Sequence, residues 1–196
     1  MAHPNVTRVS LDADHSVWTG VLPDNLRLTP SSFDALWELH PTKFHTIKIH
    51  GRDVQTPRWE QAFGVDYAYT GNVNRALPIP DNLLPLLDYA RTNFEGRLNG
   101  LLINWYDATL GHYIGPHRDA HKELIEDAPI ITISFGAERT FRLKRWKGST
   151  KIDLRWVDGS LVILPYATNS AWTHEVPLFA RDHGRRVSVT LRAFIP

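Results

Sequence analysis

An α+β fold dominated by β-strands is predicted from two observations. The first hundred residues contain two segments with apolar residues at helical spacing, whereas short extended segments separated by turn residues follow from Leu101 onward. Many short strands at such spacing favour a sandwich or a barrel. We therefore expect a double-stranded β-helix, or jelly roll, in which the two helices pack behind one sheet.

The two helices are predicted at residues 31–40 and 81–94. Thr29 or Ser31 would cap the first helix, which carries an apolar stripe. Pro85 suits the first turn of the second helix, and Gly96 ends it. The strands of the second half are predicted at residues 101–106, 130–135, 140–145, 151–156, 160–165 and 185–195. Turns such as Gly115-Pro116 separate them.

Length and composition indicate one soluble domain. The chain has 196 residues, 42% of them hydrophobic and 22% charged, which is ordinary for a globular protein. No apolar run approaches the roughly 20 residues that cross a bilayer, and the N-terminus lacks the pattern of a signal peptide. We expect a cytoplasmic protein, or a nuclear one in a eukaryote, with no membrane contact and no obligate protein partner.

Cysteine usage and charge restrict the chemistry further. The chain has no cysteine, which excludes disulfides, thiolate zinc sites and a cysteine nucleophile. A metal would be held by His, Asp or Glu, which suits a harder ion such as Fe(II). The net charge is only +1, but residues 139–156 carry seven basic residues against one acid, Asp153. Such a local patch can contact phosphates, although a solvated hairpin is the alternative.

A candidate metal site begins at His117 and Asp119. Residues at i and i+2 of an extended segment point to the same side, so both can reach one ion, and His174 offers a third ligand. Two histidines and one carboxylate leave positions open for a bidentate cosubstrate and O2. An HxD sequence is also common in solvated turns. Other histidines near this motif compete for the role: His112, His121 and His183.

A candidate anion site lies on the segment 186–192, whose residues alternate between a polar and an apolar face. Arg186 and Arg192 are about 20 Å apart along a strand, too far to hold one carboxylate. A dicarboxylate suits them better: Arg186 would pair with its distal end, helped by Ser188, and Arg192 would lie nearer the metal. Asn104 and Tyr106 could donate from a neighbouring strand, although a half-buried strand facing water is the alternative.

These motifs occur in an order that resembles the AlkB branch of the Fe(II)/2-oxoglutarate oxygenases. The order is NWY, HRD, PIITISFGAERTFRLK, a lone histidine and RRVSVTLR, spanning about residues 101–193. The resemblance implies Fe(II), 2-oxoglutarate and O2 as cofactors. It implies iron ligands at His117, Asp119 and His174, and it implies 2-oxoglutarate contacts from Asn104, Tyr106, Arg186, Ser188 and Arg192. Ser134 and Arg139 would be structural members of the sheet.

The N-terminal half, about residues 1–100, resembles the nucleotide-recognition lid and helices of that branch, and residues 101–196 resemble its catalytic core. The resemblance rests on PRWEQAFG and YAYTG, and it implies that Tyr69 stacks on an extruded base opposite His117. Tyr67 would offer its hydroxyl to the substrate, although both tyrosines could equally be core. His121 stands where repair members carry an acid, and a neutral histidine can accept one hydrogen bond. The remaining candidate substrate contacts are Arg58, Lys144, Arg145 and Lys147.

The implied reaction is demethylation of bases such as 1-methyladenine or 3-methylcytosine in DNA or RNA, with release of formaldehyde, succinate and CO2. A rival interpretation keeps the iron chemistry but acts on a small metabolite or a protein side chain, because a fold does not select a substrate. A third is a jelly-roll binding protein without catalysis. Testing which substrate is oxidised would distinguish the first two interpretations. Failure to bind a metal would favour the third.

Overall fold

The structure is a computed structural model that describes residues 6–69 and 71–195, without the side chains of residues 49 and 121. Its helices are α1 Pro30–Trp37, α2 Leu84–Asn93 and α3 Tyr166–Ala171, with single 3-10 turns at Asp24–Leu26, Asp81–Leu83, Ala108–Leu110 and His121–Glu123. Its strands are β1 Val6–Ser10, β2 Ser16–Val21, β3 Thr46–Ile49, β4 Arg52–Gln55, β5 Trp59–Phe63, β6 Tyr67–Tyr69, β7 Asn72–Asn74, β8 Gly100–Asp107, β9 Ile114–His117, β10 Ile130–Gly136, β11 Arg139–Arg145, β12 Lys151–Trp156, β13 Ser160–Leu164, β14 Trp172–Val176 and β15 Arg185–Arg192.

Two antiparallel sheets form the jelly roll that the sequence predicts. The larger sheet has the order β1-β2-β13-β10-β15-β8-β5, and the smaller has the order β12-β11-β14-β9. One buried cluster contains residues of both, among them Leu102 and Ile130 from the large sheet and Phe141 and Trp172 from the small one. The sheets therefore pack face to face around a shared core. Two hairpins, β3-β4 and β6-β7, form separate small sheets.

In β8 and β15 the side chains point alternately to the two faces of the large sheet, and this alternation decides which of them enter the space between the sheets. The apolar residues Ile103, Trp105 and Val189 belong to the cluster that covers the helix-facing side of the large sheet. Successive side chains of a strand point to opposite faces, so the residues between them point the other way. Asn104 pairs with Ser188 across this strand pair, and both are buried. The polar faces are therefore not turned to bulk water, and they line the interior of the sandwich.

Helices α1 and α2 cover the outer face of the large sheet, as predicted. Thr29 accepts a hydrogen bond from the Ser32 amide at 3.2 Å and so caps α1. The Trp105 indole donates to the Leu36 carbonyl at 3.0 Å, which joins α1 to the sheet. Pro85 lies in the first turn of α2, as the sequence predicts. None of the described helices has the length and apolar character that crossing a membrane requires.

Four sequence-based expectations need correction. Helix α1 ends at Trp37 instead of residue 40, and β15 ends at Arg192 instead of residue 195. Gly115-Pro116 is not a turn but part of β9. A proline is tolerated there because β9 is an edge strand. The division near residue 100 does not separate lid from core, since β1, β2 and β5 belong to the large sheet. Their sequences are too short and too weakly alternating to be distinguished from loops.

Candidate functional site

Two histidines and one aspartate converge between the sheets. The ligating atoms of His117, Asp119 and His174 all lie within 4.8 Å of one another. His117 ends β9 and faces His174 of β14 in the strand register, and Asp119 follows two residues later. The cluster that the sequence suggested is therefore assembled by the pairing of two strands that are far apart in the chain.

Two of the competing histidines, His112 and His183, do not join this cluster. His112 is buried, and its Nδ1 accepts a hydrogen bond from the Asp107 amide at 3.1 Å. Its ring packs edge-on against Trp59, with 4.8 Å between the ring centroids. His183 is exposed. The side chain of His121 lies outside the described residues, so its predicted contact with the substrate stays a prediction.

Hydrogen bonds to neighbouring backbone orient the cluster. His117 Nδ1 lies 2.9 Å from the Gly115 carbonyl, which can only accept, so Nδ1 carries the proton and Nε2 is free to bind a metal. Asn169 of α3 holds the backbone of Asp119: its side-chain oxygen accepts from the Asp119 amide at 3.0 Å, and its Nδ2 donates to the Asp119 carbonyl at 3.1 Å. Asn169 is fully buried. Sequence reasoning did not identify it, because α3 was not predicted.

Arg192 contacts the carboxylate of the cluster directly. Its Nε and Nη2 donate to Oδ2 of Asp119 at 2.9 and 2.7 Å, while the Tyr67 hydroxyl donates to Oδ1 at 3.4 Å. Burial disfavours the charged form of Asp119, but Arg192 and the two histidines outweigh it and hold the pKa of this carboxyl well below its usual range. The arginine therefore keeps Asp119 ionised. The Arg192 guanidinium also lies over the Tyr67 ring, 4.7 Å from its centroid.

The donor set fits Fe(II). Two imidazole nitrogens and one carboxylate oxygen are the ligands of the 2-His-1-carboxylate type. Burial, and then the nearby His117, lower the pKa of His174 to about 3, and burial also lowers the pKa of His117. Both rings are therefore neutral near pH 7, which is the form that binds a metal. His117, Asp119 and His174 are thus the residues that could hold the ion.

A second charged group, Arg186, is buried near the start of β15, the strand that also carries Arg192. Its Nε donates to Ser134 Oγ at 2.9 Å, and its guanidinium lies between the rings of Tyr106 and Trp156, 5.0 and 4.3 Å from their centroids. Among the residues that the structure describes, Nη1 and Nη2 have no hydrogen-bond partner. Burial lowers the pKa of Arg186 to about 10, which the Tyr106 hydroxyl only partly offsets. A buried cation with two free donors fits an anionic ligand.

A cavity of about 480 Å³ is lined by the metal cluster and by Tyr106 and Trp156, whose rings pack on Arg186, whereas Arg186 itself lies behind this lining. Its lining contains the metal cluster and several predicted 2-oxoglutarate contacts: Asn104, Tyr106, Ser188 and Arg192. Arg58 also lines it but is buried, and its guanidinium pairs with the carboxylate of Glu60 at 2.6 Å. Arg58 Nε also donates to Asn104 Oδ1 at 2.6 Å, which directs the Asn104 Nδ2 donor to other partners. The predicted contact of Arg58 with substrate stays a prediction, and its observed partners are Glu60 and Asn104.

The two tyrosines of β6 form one wall of the cavity. Tyr67 is buried and points its hydroxyl to Asp119, so this group contacts the metal cluster. Tyr69 is half-buried, with its ring centroid 5.0 Å from that of Tyr67. Its hydroxyl is buried without a hydrogen-bond partner among the described residues. The half-buried ring of Tyr69 is therefore available to a ligand in the cavity.

Glu123 links the two tyrosines of β6 to the metal loop, defined here as residues 117–123. Its Oε2 accepts a hydrogen bond from the amide of Ala68, between the two tyrosines, at 3.3 Å. Sequence reasoning missed Glu123, because its partner lies 55 residues away. By accepting this hydrogen bond, the Glu123 carboxylate holds β6 in one position relative to the metal loop.

Replacing Glu123 with Ala should loosen β6. Because Glu123 is half-exposed, we expect a loss of about 1 kcal/mol, measured as roughly fivefold faster hydrogen exchange of the Ala68 amide. Glu123→Gln is the matched control, since its amide oxygen can still accept. An unchanged exchange rate in Glu123→Ala would contradict the link.

The basic hairpin, defined here as residues 144–151, lies outside the lining of the cavity. Lys144 and Lys147 are exposed. Arg145 turns back to the N-terminal region, with Nη1 3.5 Å from the Asp12 carboxylate. Phosphate contacts by these three residues stay a prediction, and Arg145 already has an acidic partner.

Comparison of the sequence with known proteins identifies relatives of this chain. A family model described as the 2OG-Fe(II) oxygenase superfamily matches residues 34–192. DNA oxidative demethylase ALKBH2 of Homo sapiens is 30% identical over 161 residues, which cover 76% of this chain and 61% of that protein. ALKBH2 of Arabidopsis thaliana is 27% identical over 190 residues, 82% of this chain and 60% of the relative. Alpha-ketoglutarate-dependent dioxygenase alkB homolog 3 of Rattus norvegicus is 29% identical over 126 residues, 58% of this chain and 42% of the relative.

These matches establish the family, but not every property of the longer relatives. The chain spans about three fifths of the length of these two ALKBH2 proteins. The superfamily model covers most of the chain, including the His-Asp-His cluster and both buried arginines of β15. The chain therefore belongs to the AlkB branch of the 2OG-Fe(II) oxygenase superfamily.

Proposed function

We propose that this chain removes small alkyl groups oxidatively from the ring nitrogens of nucleobases in DNA or RNA. Fe(II), 2-oxoglutarate and O2 are the cofactors that its family implies. One observation carries the proposal: the cavity that contains the His-Asp-His cluster has lining residues, Tyr106 and Trp156, that pack on a buried arginine with unpartnered nitrogens. The name DNA oxidative demethylase, carried by the ALKBH2 relatives, supports the substrate class.

In this proposal His117, Asp119 and His174 hold Fe(II). Arg186 pairs with the distal carboxylate of 2-oxoglutarate, and the polar side chains of the lining donate to the rest: Asn104, Tyr106 and Ser188. Arg192 acts mainly as a positioning residue, since two of its nitrogens hold Asp119, and only Nη1 is left for the cosubstrate. When bound, iron and 2-oxoglutarate supply the oxidation. The methyl group leaves as formaldehyde, the nitrogen gains a proton, and 2-oxoglutarate and O2 become succinate and CO2.

The remaining residues bind and orient the base. The His117 side chain is 32% exposed, so its ring can contact a base that enters the cavity. Tyr69 lies in the lining as the second aromatic candidate. Stacking on aromatic rings contributes about 1–3 kcal/mol per base, which offsets much of the few kcal/mol needed to extrude one.

Formaldehyde release from an oligonucleotide containing 1-methyladenine or 3-methylcytosine tests the proposal. We expect formaldehyde and succinate in equal amounts with the methylated oligonucleotide, and neither above background with His174→Ala. Succinate formed with free amino acids or small metabolites, but not with methylated oligonucleotides, would instead favour the rival hydroxylase. A protein that binds no Fe(II) would favour the binding module.

Tyr69 separates nucleobase chemistry from other oxidations. We expect Tyr69→Ala to weaken oligonucleotide binding by about 1–3 kcal/mol, because a stacking surface is lost. Tyr69→Phe should change little, because the aromatic face that stacks on the base is kept. Binding of 2-oxoglutarate and the melting temperature serve as controls, and both should stay at the wild-type value. A stable Tyr69→Ala protein with wild-type affinity for methylated oligonucleotides would contradict the stacking role.

A further inference from the structure

An arginine and a tryptophan form a stacked pair directly beside the metal cluster. Arg118 stands between His117 and Asp119 and lines the cavity. Its guanidinium lies over the ring of Trp146, 4.3 Å from the centroid. Trp146 belongs to the basic hairpin and is 46% exposed. The pair therefore joins the cavity, on the Arg118 side, to the protein surface, on the Trp146 side.

Both members of the pair are held in place by backbone contacts. Arg118 Nη1 donates to the Ser170 carbonyl at 2.8 Å, and the Trp146 amide donates to the Ala171 carbonyl at 3.0 Å. These two carbonyls are adjacent at the end of α3, the helix that also holds Asp119. The Trp146 ring is thus positioned by the same segment that positions the metal cluster, and it is not a loosely attached surface residue.

Three lysines of the basic hairpin carry charge near the pair, whereas Arg145 of the same hairpin pairs with Asp12. Lys144, Lys147 and Lys151 are exposed, and within the described ranges 6–69 and 71–195 none of them makes an ion pair. The arginines further along the same hairpin strands differ. Arg142 pairs with Asp153, and Arg155 pairs with Glu138. An exposed aromatic ring among unpaired lysines is the composition of a surface that follows a nucleic-acid strand.

We propose that the Trp146 ring stacks on the nucleobase that neighbours the extruded base in the same strand. This inference rests on the proposed function, since it assumes that a nucleic acid enters the cavity. Arg118 covers one side of the ring, so a base would stack on an exposed part, and the three exposed lysines of the hairpin are available to the phosphates of the strand. Stacking needs no particular base, because every base has an aromatic face. The contact would therefore favour strands over free nucleotides without adding sequence preference.

Binding of four ligands to the Fe(II)- and 2-oxoglutarate-loaded protein without O2 tests this proposal. The ligands are a trinucleotide with central 1-methyladenine, the same trinucleotide with each flanking base in turn replaced by an abasic residue, and 1-methyladenine mononucleotide. Trp146→Ala should weaken trinucleotide binding about fivefold to a hundredfold and leave mononucleotide binding unchanged. When the flanking base that stacks on Trp146 is replaced by an abasic residue, Trp146→Ala and the wild type should bind the trinucleotide equally well. Trp146→Phe should restore most of the affinity.

Leu84→Ala is the matched control, because Leu84 is an exposed apolar residue, 39% exposed, on α2. It should match the wild type with all ligands. An equal loss for mononucleotide and trinucleotide would show that Trp146 only supports the metal loop, and a loss that persists with both abasic ligands would indicate a backbone contact. Either result overturns the stacking proposal. If the wild type binds no methylated ligand, the proposed function fails, and this inference fails with it.

Discussion

Asp119→Ala and His174→Ala are each expected to abolish turnover, because two remaining ligands do not hold Fe(II) against water. Succinate production with a methylated oligonucleotide, together with Fe(II) binding followed by calorimetry, measures the effect. Wild-type succinate production by either variant would rule out this metal site.

The two variants should differ in stability, which provides an internal control. Asp119→Ala leaves Arg192 buried without its carboxylate, and breaking a buried pair from one side costs about 3–5 kcal/mol. We therefore expect a melting temperature several degrees lower. His174→Ala removes a ring that is neutral near pH 7 and leaves no charge unpaired. It should lose activity with a smaller loss of stability, so loss of function and loss of folding can be separated.

Arg186→Ala is expected to raise the 2-oxoglutarate requirement roughly thirtyfold or more, since losing one partner of a buried charge pair costs about 2–5 kcal/mol. Arg186→Lys should recover only part of the affinity, because an ammonium does not reproduce the planar fork. Calorimetric titration with 2-oxoglutarate measures both. Normal binding by Arg186→Ala would remove this strand from the cosubstrate site.

Arg186→Met gives a sharper control, because it keeps much of the side-chain volume but removes the charge. Without ligand, the wild-type guanidinium is buried with two unpartnered nitrogens, which is unfavourable. We expect Arg186→Met to melt no lower than the wild type in the absence of 2-oxoglutarate. Added 2-oxoglutarate should raise the melting temperature of the wild type only, since a ligand stabilises the state that it binds. A variant that is stabilised equally would contradict the assignment.

Patterns between near neighbours in the chain determined much of the site. The alternation of β15 predicted that Arg186, Ser188 and Arg192 share one face, and the structure confirms this. The spacing of His117 and Asp119 likewise predicted a shared direction. Such inferences succeed because backbone geometry repeats every two residues in a strand, so the relative direction of nearby side chains follows from the sequence.

Partners distant in the chain were decided only by the tertiary structure. The sequence could not show that Arg192 would hold Asp119 or that Arg118 would stack on Trp146. Each guanidinium has several acidic or aromatic residues that it could meet, and the choice depends on which strands become neighbours. Local periodicity carries no information on that choice, because strand pairing is set by the packing of the whole core. The residue types of the site were therefore readable from the sequence, whereas the contacts that orient them required the fold.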